Sequence, residues 1–211
     1  MNRGMNEKIE FVDGMSAWEL VLKRCFDFCG AFLLLIIFSP LILIIWICLW
    51  MENEGSPVFK QERIGYQGKP FYIYKFRTMR KNAEDGGVPQ LAQAQDKRLT
   101  SLGCFLREHH LDEIPQMWNV LIGDMSFVGP RPERLFFINE IMKYNPNYPI
   151  IYRMKPGVTS RATIYNGYTD TMEKMLIRLN MDLAYYQERN FILDMKLLGL
   201  TFLKIIGGRK F

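Results

Sequence analysis

The chain has 211 residues, with 27 Lys and Arg against 22 Asp and Glu and a formal net charge of +5. That length holds one globular domain with a real core, or a smaller one joined to a membrane element. The basic balance suits an anionic partner such as a phosphate ester or an acidic lipid surface. Nucleic acid is not expected, because no helix-turn-helix, zinc-finger spacing or RNP-type motif occurs and the basic residues are dispersed.

The four cysteines, Cys25, Cys29, Cys48 and Cys104, form no Cys-x-x-Cys pair. They read as small buried hydrophobes in a reducing compartment rather than a zinc site or a disulfide framework. The first 24 residues mix acids and bases, and no small-residue cleavage site follows, so no secretory signal is expected.

From Phe28 to Met51, "FCGAFLLLIIFSPLILIIWICLWM", no residue is charged. As continuous helix this stretch is about 36 Å long, enough to cross a bilayer. Ser39-Pro40 stands at its midpoint, where proline removes a backbone donor and kinks or breaks a helix. Lys23 and Arg24 precede the run, and Lys60, Arg63, Lys69, Lys75 and Arg77 follow it. If basic flanks stay in the cytoplasm, both ends want the same side. Two readings stay open on these grounds: a plain spanning helix, and a helix-break-helix hairpin that enters the membrane and returns. A core helix is disfavoured, because so short a chain could hardly cover it all round.

After the run, "SPVFKQERIGYQGKPFYIYKFRTM" reads as two strands about a Gly65-Tyr66-Gln67-Gly68 turn. Alternation puts Phe71, Ile73, Lys75 and Arg77 on one face of the second strand and Tyr72, Tyr74 and Phe76 on the other. Lys75 and Arg77 either point into water or aim at an anion from a rigid strand. Residues Arg80 to Arg98 predict a mobile polar loop, with a short helix through its Ala/Gln stretch.

Thr100 can cap a helix that buries Leu102, Phe105 and Leu106. A second helix is predicted to begin near Asp112, with Ile114, Met117, Trp118 and Leu121 as its apolar stripe and Gly123 as its end. Pro115 then falls in the first turn, where its missing N–H forfeits no bond. An N-terminus there would stabilise ionised Asp112 and Glu113 and attract phosphate, although ordinary capping accounts for the acids equally well. Arg131 in "VGPRPE" sits in backbone stiffened by proline on both sides, which suits a grip on phosphate oxygens. His109 and His110 are adjacent, so on a helix they diverge, and a histidine metal site is not expected.

Further on, Arg153 to Gly167 is loop and strand material with a turn at Pro156-Gly157. "TMEKMLIRLNMDLAYYQERN" is helical with Met172, Met175, Leu176 and Leu179 buried. The apolar tail "FILDMKLLGLTFLKIIGGRKF" suits a helix lying in a membrane interface, with a core helix as the alternative. The fold class expected is therefore α+β, mostly helical, with a short β-hairpin and amphipathic interfacial helices. Residues 1–51 are expected as an N-terminal segment with the membrane element, and residues 52–211 as a cytosolic, membrane-associated domain.

Taken together, "KRCFDF", the apolar run broken by "SP", "PVFKQERIG", "YKFRTM", "LDEIPQMWNVLIGDMSFVGPRP", "KPGVT" and "DLAYY" resemble the bacterial sugar transferases, the monotopic phosphoglycosyl transferases. The resemblance runs through nearly the whole chain, and the block from Leu111 to Pro132 carries most of its specificity. It implies transfer of a phosphosugar from a UDP-sugar to undecaprenyl (polyprenyl) phosphate at the cytoplasmic face of the bacterial inner membrane, with UMP released. It implies Asp112 as nucleophile, Glu113 as its partner, Mg²⁺ held with the help of Asp112, and a re-entrant hairpin turning at Ser39-Pro40. Arg107, Lys75 and Arg131 correspond to the family's basic contacts, and Asp182 to its late acid. Membrane lipids are implied partners, and a homodimer is compatible with the resemblance.

Two departures from the family pattern stand out. His109-His110 replace a small polar pair before Leu-Asp-Glu, and Ser160-Arg161-Ala162-Thr163 replace a more usual Gly-Trp-Ala-Gln. The chain also shows no extra transmembrane bundle, as in the family's minimal form. The competing expectations are a membrane-bound phosphohydrolase with an aspartyl-phosphate step and a non-catalytic membrane scaffold.

Overall fold

The computed structural model describes residues 10–81, 83, 96–167 and 169–207. The loop expected from Arg80 to Arg98 falls largely on residues 82 and 84–95, outside the described residues.

Helix α1 spans Ala17–Met51, 35 residues, or about 52 Å. It starts at a capping box: Ser16 accepts from the Glu19 N–H, and the Glu19 carboxylate returns to the Ser16 N–H at 3.0 Å. By length and composition it is able to cross a membrane. Two helices around a break were expected; the structure has one element that continues through Pro40. Pro40 has no N–H to give the Ile36 carbonyl, and the Ser39 hydroxyl donates to that oxygen at 2.8 Å instead. The orphaned acceptor is satisfied locally, and the helix goes on.

Both ends of α1 rest on the remainder of the protein. Ala31 belongs to the principal core, with Leu34 and Leu35 packed against it. Ile45 and Leu49 make a second cluster with Phe76 and Leu106. Phe32, Leu33, Ile36, Ile37, Leu43 and Ile44 stay exposed. Cys25, Cys29 and Cys48 lie on exposed α1 positions and Cys104 is exposed too, so the expected burial of the cysteines is corrected. Lys23 and Arg24 also differ from their reading as membrane flanks, because both turn inward. Lys23 donates to the Val128 carbonyl at 2.9 Å and pairs with Asp194. Arg24 takes the Val120 and Leu121 carbonyls at 2.7 and 2.8 Å. The boundary expected at 51/52 therefore coincides with the end of α1, but the two sides share their cores.

Strands β1 (Val58–Ile64) and β2 (Pro70–Phe76) form the expected antiparallel hairpin, with Val58 opposite Phe76 and Ile64 opposite Pro70. Its turn is a 3₁₀ turn over Tyr66–Gly68. The alternation holds at Ile73, which is buried, and at Tyr72, which is exposed.

Helix α2 (Ser101–Glu108) is capped by Thr100 and buries Leu106, whereas Phe105 stays exposed and stacks against His109 with ring centroids 4.4 Å apart. Helix α3 (Gln116–Ile122) begins four residues later than expected and ends at Gly123. Its buried face is Gln116, Met117, Asn119 and Val120, so Trp118 points outward at 50% exposure. Asn119 decides that rotation. Its amide donates to the Tyr72 carbonyl at 2.7 Å and accepts from the Tyr74 N–H at 3.1 Å, which ties α3 to β2.

Strand β3 (Ser126–Val128) pairs in parallel with β4 (Gly157–Thr159). A Cβ on Gly157 would meet the Gly129 nitrogen at 2.1 Å, so only glycine lets the two backbones approach this closely. Helices α4 (Leu135–Tyr144), α5 (Arg161–Asn166), α6 (Met172–Glu188) and α7 (Phe191–Ile206) surround this pair. In α6 the buried face includes the expected Met175 and Leu179, and also Arg178 and Asp182. In α7, Asp194 and Leu197 are buried while Ile192, Phe202 and Leu203 are exposed. The described architecture is thus mostly helical, with one antiparallel hairpin and one short parallel pair.

Candidate active site

Asp112 and Glu113 lie on a 3₁₀ turn, Leu111–Glu113, between α2 and α3. The expectation that Asp112 sits at the start of a helix is corrected: α3 begins at Gln116, with Pro115 in the capping position. The chain leaves α2 through His110 at φ 55°, a left-handed conformation uncommon outside glycine. That turn, rather than a helix dipole, presents the acids.

The charge comes from side chains. Lys75, from β2, donates to Glu113 Oε1 at 2.5 Å. An Arg131 Nη2 lies 3.7 Å from the same oxygen. Arg107, from α2, reaches Thr78 Oγ1 at 3.5 Å through one guanidinium nitrogen, while its buried Nη1 has no hydrogen-bond partner. Lys75, Arg107 and Arg131 all act electrostatically on Asp112. Three cations thus face two carboxylates, which leaves a positive surplus and an unspent donor for an anionic ligand.

The two acids are held in different states. Burial pushes Asp112 up to about 6, helped by the Glu113 charge and opposed by Lys75, Arg107 and Arg131. Burial also acts upward on Glu113, but the charges of Lys75 and Arg131 and the Lys75 hydrogen bond outweigh it and hold the group at about 2. One neighbour takes the cations and stays ionised; the other is left as the more basic carboxylate. His110 is held below its ordinary value by burial and by the cations of Arg131 and Lys75, against the pull of Glu113.

Arg77 does not join this cluster. At the end of β2 its guanidinium takes the Leu49 carbonyl at 2.7 Å, the Gly55 carbonyl, and Glu52 at 3.3 Å. It satisfies carbonyls that the last turn of α1 leaves open, so the expected substrate contact becomes a helix clamp.

Asp182 lies on the far side of Arg131. Together with Arg131, Arg178 and Tyr148 it lines a cavity of about 10 Å³, room for about one water. Asp182 Oδ1 is buried without a hydrogen-bond partner. Burial, reinforced by Glu133 and opposed by Arg178, raises Asp182 to about 7. A raised carboxylate binds more protons folded than unfolded, so its effect on stability becomes more unfavourable from about pH 4 and is complete above about pH 7. Asp182→Asn is expected to melt about 4–8 °C higher than the parent at pH 8.5, a gain of about 2 kcal/mol. At pH 3, where the carboxyl is protonated both folded and unfolded, the difference should vanish, as calorimetry at both pH values would show.

Sequence reasoning missed the support behind Arg131. Glu133 binds Arg178 Nη2 at 2.5 Å and Arg63 Nη1 at 3.1 Å, and Arg63 also takes the Pro132 carbonyl at 3.1 Å. The only signal in the sequence was the position of Glu133, directly after Pro-Arg-Pro. Ser160 and Arg161, the second departure, begin α5, where Arg161 pairs with Glu188 at 2.6 Å.

Comparison with known proteins identifies the family. The chain is 38% identical over 196 residues to UDP-glucose:undecaprenyl-phosphate glucose-1-phosphate transferase of Klebsiella pneumoniae, covering 92% of this chain and 42% of that protein. It is 35% identical over 187 residues to UDP-N-acetylgalactosamine-undecaprenyl-phosphate N-acetylgalactosaminephosphotransferase of Aeromonas hydrophila, covering 89% of this chain and 44% of that protein. The chain therefore spans less than half the length of these two relatives. It matches the full length of exopolysaccharide production protein PSS of Rhizobium leguminosarum bv. phaseoli, at 34% identity over 200 residues. A sequence profile described as bacterial sugar transferase matches residues 18–208, from the first turn of α1 to just beyond α7. Since that match takes in the acid pair, its three cations and the helix beneath them, the chain belongs to the bacterial sugar transferase family.

Proposed function

We propose that this chain transfers a phosphosugar from a UDP-sugar to undecaprenyl phosphate, with Asp112 as the covalent nucleophile. The observation that carries this reading is the contrast between the two neighbouring acids: Glu113 is paired with Lys75 at 2.5 Å, while Asp112 has the raised pKa and the surplus cations around it. The named relatives supply the substrate classes, UDP-sugars and undecaprenyl phosphate.

In the first half-reaction an Asp112 carboxylate oxygen attacks the phosphorus that bears the sugar. The bond from that phosphorus to the bridging oxygen breaks, and UMP leaves with the electron pair. In the second, an oxygen of the lipid phosphate attacks the same phosphorus, the aspartyl bond breaks, and the carboxylate is regenerated beside polyprenyl diphosphate sugar. Arg107 and Arg131 are placed to screen the diphosphate, whose charge would otherwise repel the incoming carboxylate. Arg107 Nη1, buried with no partner, has a donor to give to it. Glu113 keeps Lys75 in place and, being ionised, raises the basicity of its neighbour.

The donor set fits Mg²⁺. Among the described residues no cluster of three His, Cys, Asp or Glu side chains forms a self-sufficient metal cage. Mg²⁺ characteristically uses one or two carboxylates together with substrate phosphates. Asp112 would hold it, and the ion would supply charge neutralisation at the diphosphate.

The fold supports a re-entrant course for α1. Its first turns are bonded to Val120, Leu121 and Val128, and its last turn to Arg77, all in one catalytic unit. A helix that crossed the bilayer would carry these ends to opposite sides. The exposed apolar middle would dip into one leaflet of the inner membrane from the cytoplasmic face, with Trp46, Trp50 and Trp118 exposed at or near its borders. The exposed apolar side of α7 would lie in the same interface.

UMP release should be screened with UDP-glucose and UDP-N-acetylgalactosamine, with and without undecaprenyl phosphate. Catalytic turnover is expected only with the lipid, and chelation by EDTA should stop it. Sustained turnover without the lipid would make water the acceptor and the protein a hydrolase. Topology has its own test. Glu10→Cys and Ser56→Cys, each in a variant lacking the four native cysteines, should both react with an impermeant maleimide only from the cytoplasmic side. Labelling on opposite sides would restore a spanning helix.

A further inference from the structure

Helix α1 touches the backbone that leads to Arg131 as closely as it touches the core. Lys23 and Asp27 stand one turn apart on one face of the helix. Asp27 Oδ1 accepts from the Phe127 N–H at 3.0 Å, and Lys23 donates to the Val128 carbonyl at 2.9 Å. Both groups are buried, at 2% and 9% exposure. Lys23 is in turn bound to Asp194, which accepts from the Tyr185 hydroxyl at 2.5 Å. The fit is close, since a Cβ on Gly30 would lie 2.8 Å from the Phe127 ring.

Val128 is the last residue of β3, and Arg131 follows three residues later through Gly129-Pro130. Little freedom is left in that link. Gly129 donates to the Thr159 carbonyl at 3.0 Å, and Pro130 accepts from the Gly157 N–H at 2.9 Å. A stiff connection transmits the position of β3 to the guanidinium.

We propose that Asp27, with Lys23 beside it, is a positioning residue for Arg131. The membrane helix thereby sets the reach of the arginine that grips the substrate's diphosphate. This rests on the phosphosugar-transfer reading above. The two side chains touch no substrate; they fix the peptide groups on either side of the Phe127-Val128 unit of β3, and through them the register of the loop. An Asp27 side chain that lost its acceptor would leave a buried N–H unpaired and let β3 shift.

The test is a double-mutant cycle read by UDP binding in calorimetry, on full-length protein in detergent. Asp27→Leu removes the acceptor and is expected to weaken UDP binding about tenfold. Asp27→Asn keeps an acceptor oxygen and should bind like the parent. In an Arg131→Ala background, Asp27→Leu should change UDP affinity less than twofold, because its effect runs through the missing guanidinium. If Asp27→Leu does not fold, Asp27→Ala, which leaves room for a water at the Phe127 N–H, takes its place with the same expected coupling. Equal weakening in both backgrounds, or parent-like binding by Asp27→Leu, overturns the positioning role while leaving the transferase reading standing. A parent that binds no UDP overturns that reading and the proposal with it.

Discussion

Asp112→Asn is expected to abolish both UMP release and covalent labelling of the protein by a radiolabelled phosphosugar, a loss of about 10⁴-fold or more in kcat. The amide is nearly isosteric with the carboxylate, so the turn from Leu111 to Glu113 should survive. Membrane association should survive as well, because it is Leu111 and Ile114 of that turn, not Asp112, that pack against the α1 cluster. Removing a buried charge whose pKa is raised should, if anything, stabilise the fold above pH 6. A stable, membrane-bound and inactive protein is therefore the expected result. Residual labelling at the parent level would assign the nucleophile to another group.

Lys75→Met should produce the second largest effect, about a 10²–10³-fold loss in kcat/KM at neutral pH. The ammonium is the closest cation to Glu113 and a major force holding both neighbouring acids in their ionised forms. Without it, Arg131 remains at 3.7 Å from Glu113, and two adjacent carboxylates face each other with one cation fewer. Both then protonate at higher pH than in the parent. Asp112 already titrates upward, at about 6, so its protonated, non-nucleophilic form would extend into the neutral range. The acid limb of the pH–rate profile should accordingly move up, and the variant should recover part of its lost rate between pH 7 and pH 9. A uniform loss at every pH would mean that Lys75 acts on the substrate alone and not through the acids.

The acid pair and Arg131 stood out from the residues themselves and Arg107 only through the family resemblance; the structure brings all four together. For Lys75, strand alternation predicts the side of β2 it occupies but not whether it meets water or an anion; its place beside the acids came through the resemblance. The same alternation misled at Arg77. One position past the end of β2, its side chain answers to the open carbonyls of α1 instead of to the strand. Lys23 and Arg24 were misread for a related reason. Flanking charges carry topological information only if they reach the headgroups, and their actual partners, Val128, Asp194, Val120 and Leu121, lie about 100 to 170 residues away. The start of α3 was misplaced because the acids and Pro115 fit a helix N-terminus as well as they fit a 3₁₀ turn. The left-handed His110 that decides the matter has no signature in a residue type that usually avoids that conformation.

The shared cores on either side of Met51 have a consequence for how such enzymes can diversify. Ala31 and Leu49 are wholly enclosed by side chains from the rest of the protein, so α1 is not an interchangeable module. Grafting a lipid tail or an unrelated hydrophobic segment in place of α1 would leave two cavities in the protein interior. A recombination event that swapped N-termini between relatives would have to carry matching changes in the partner surfaces. Helix α1 and the surfaces that enclose it are thus bound to evolve as one inheritance unit.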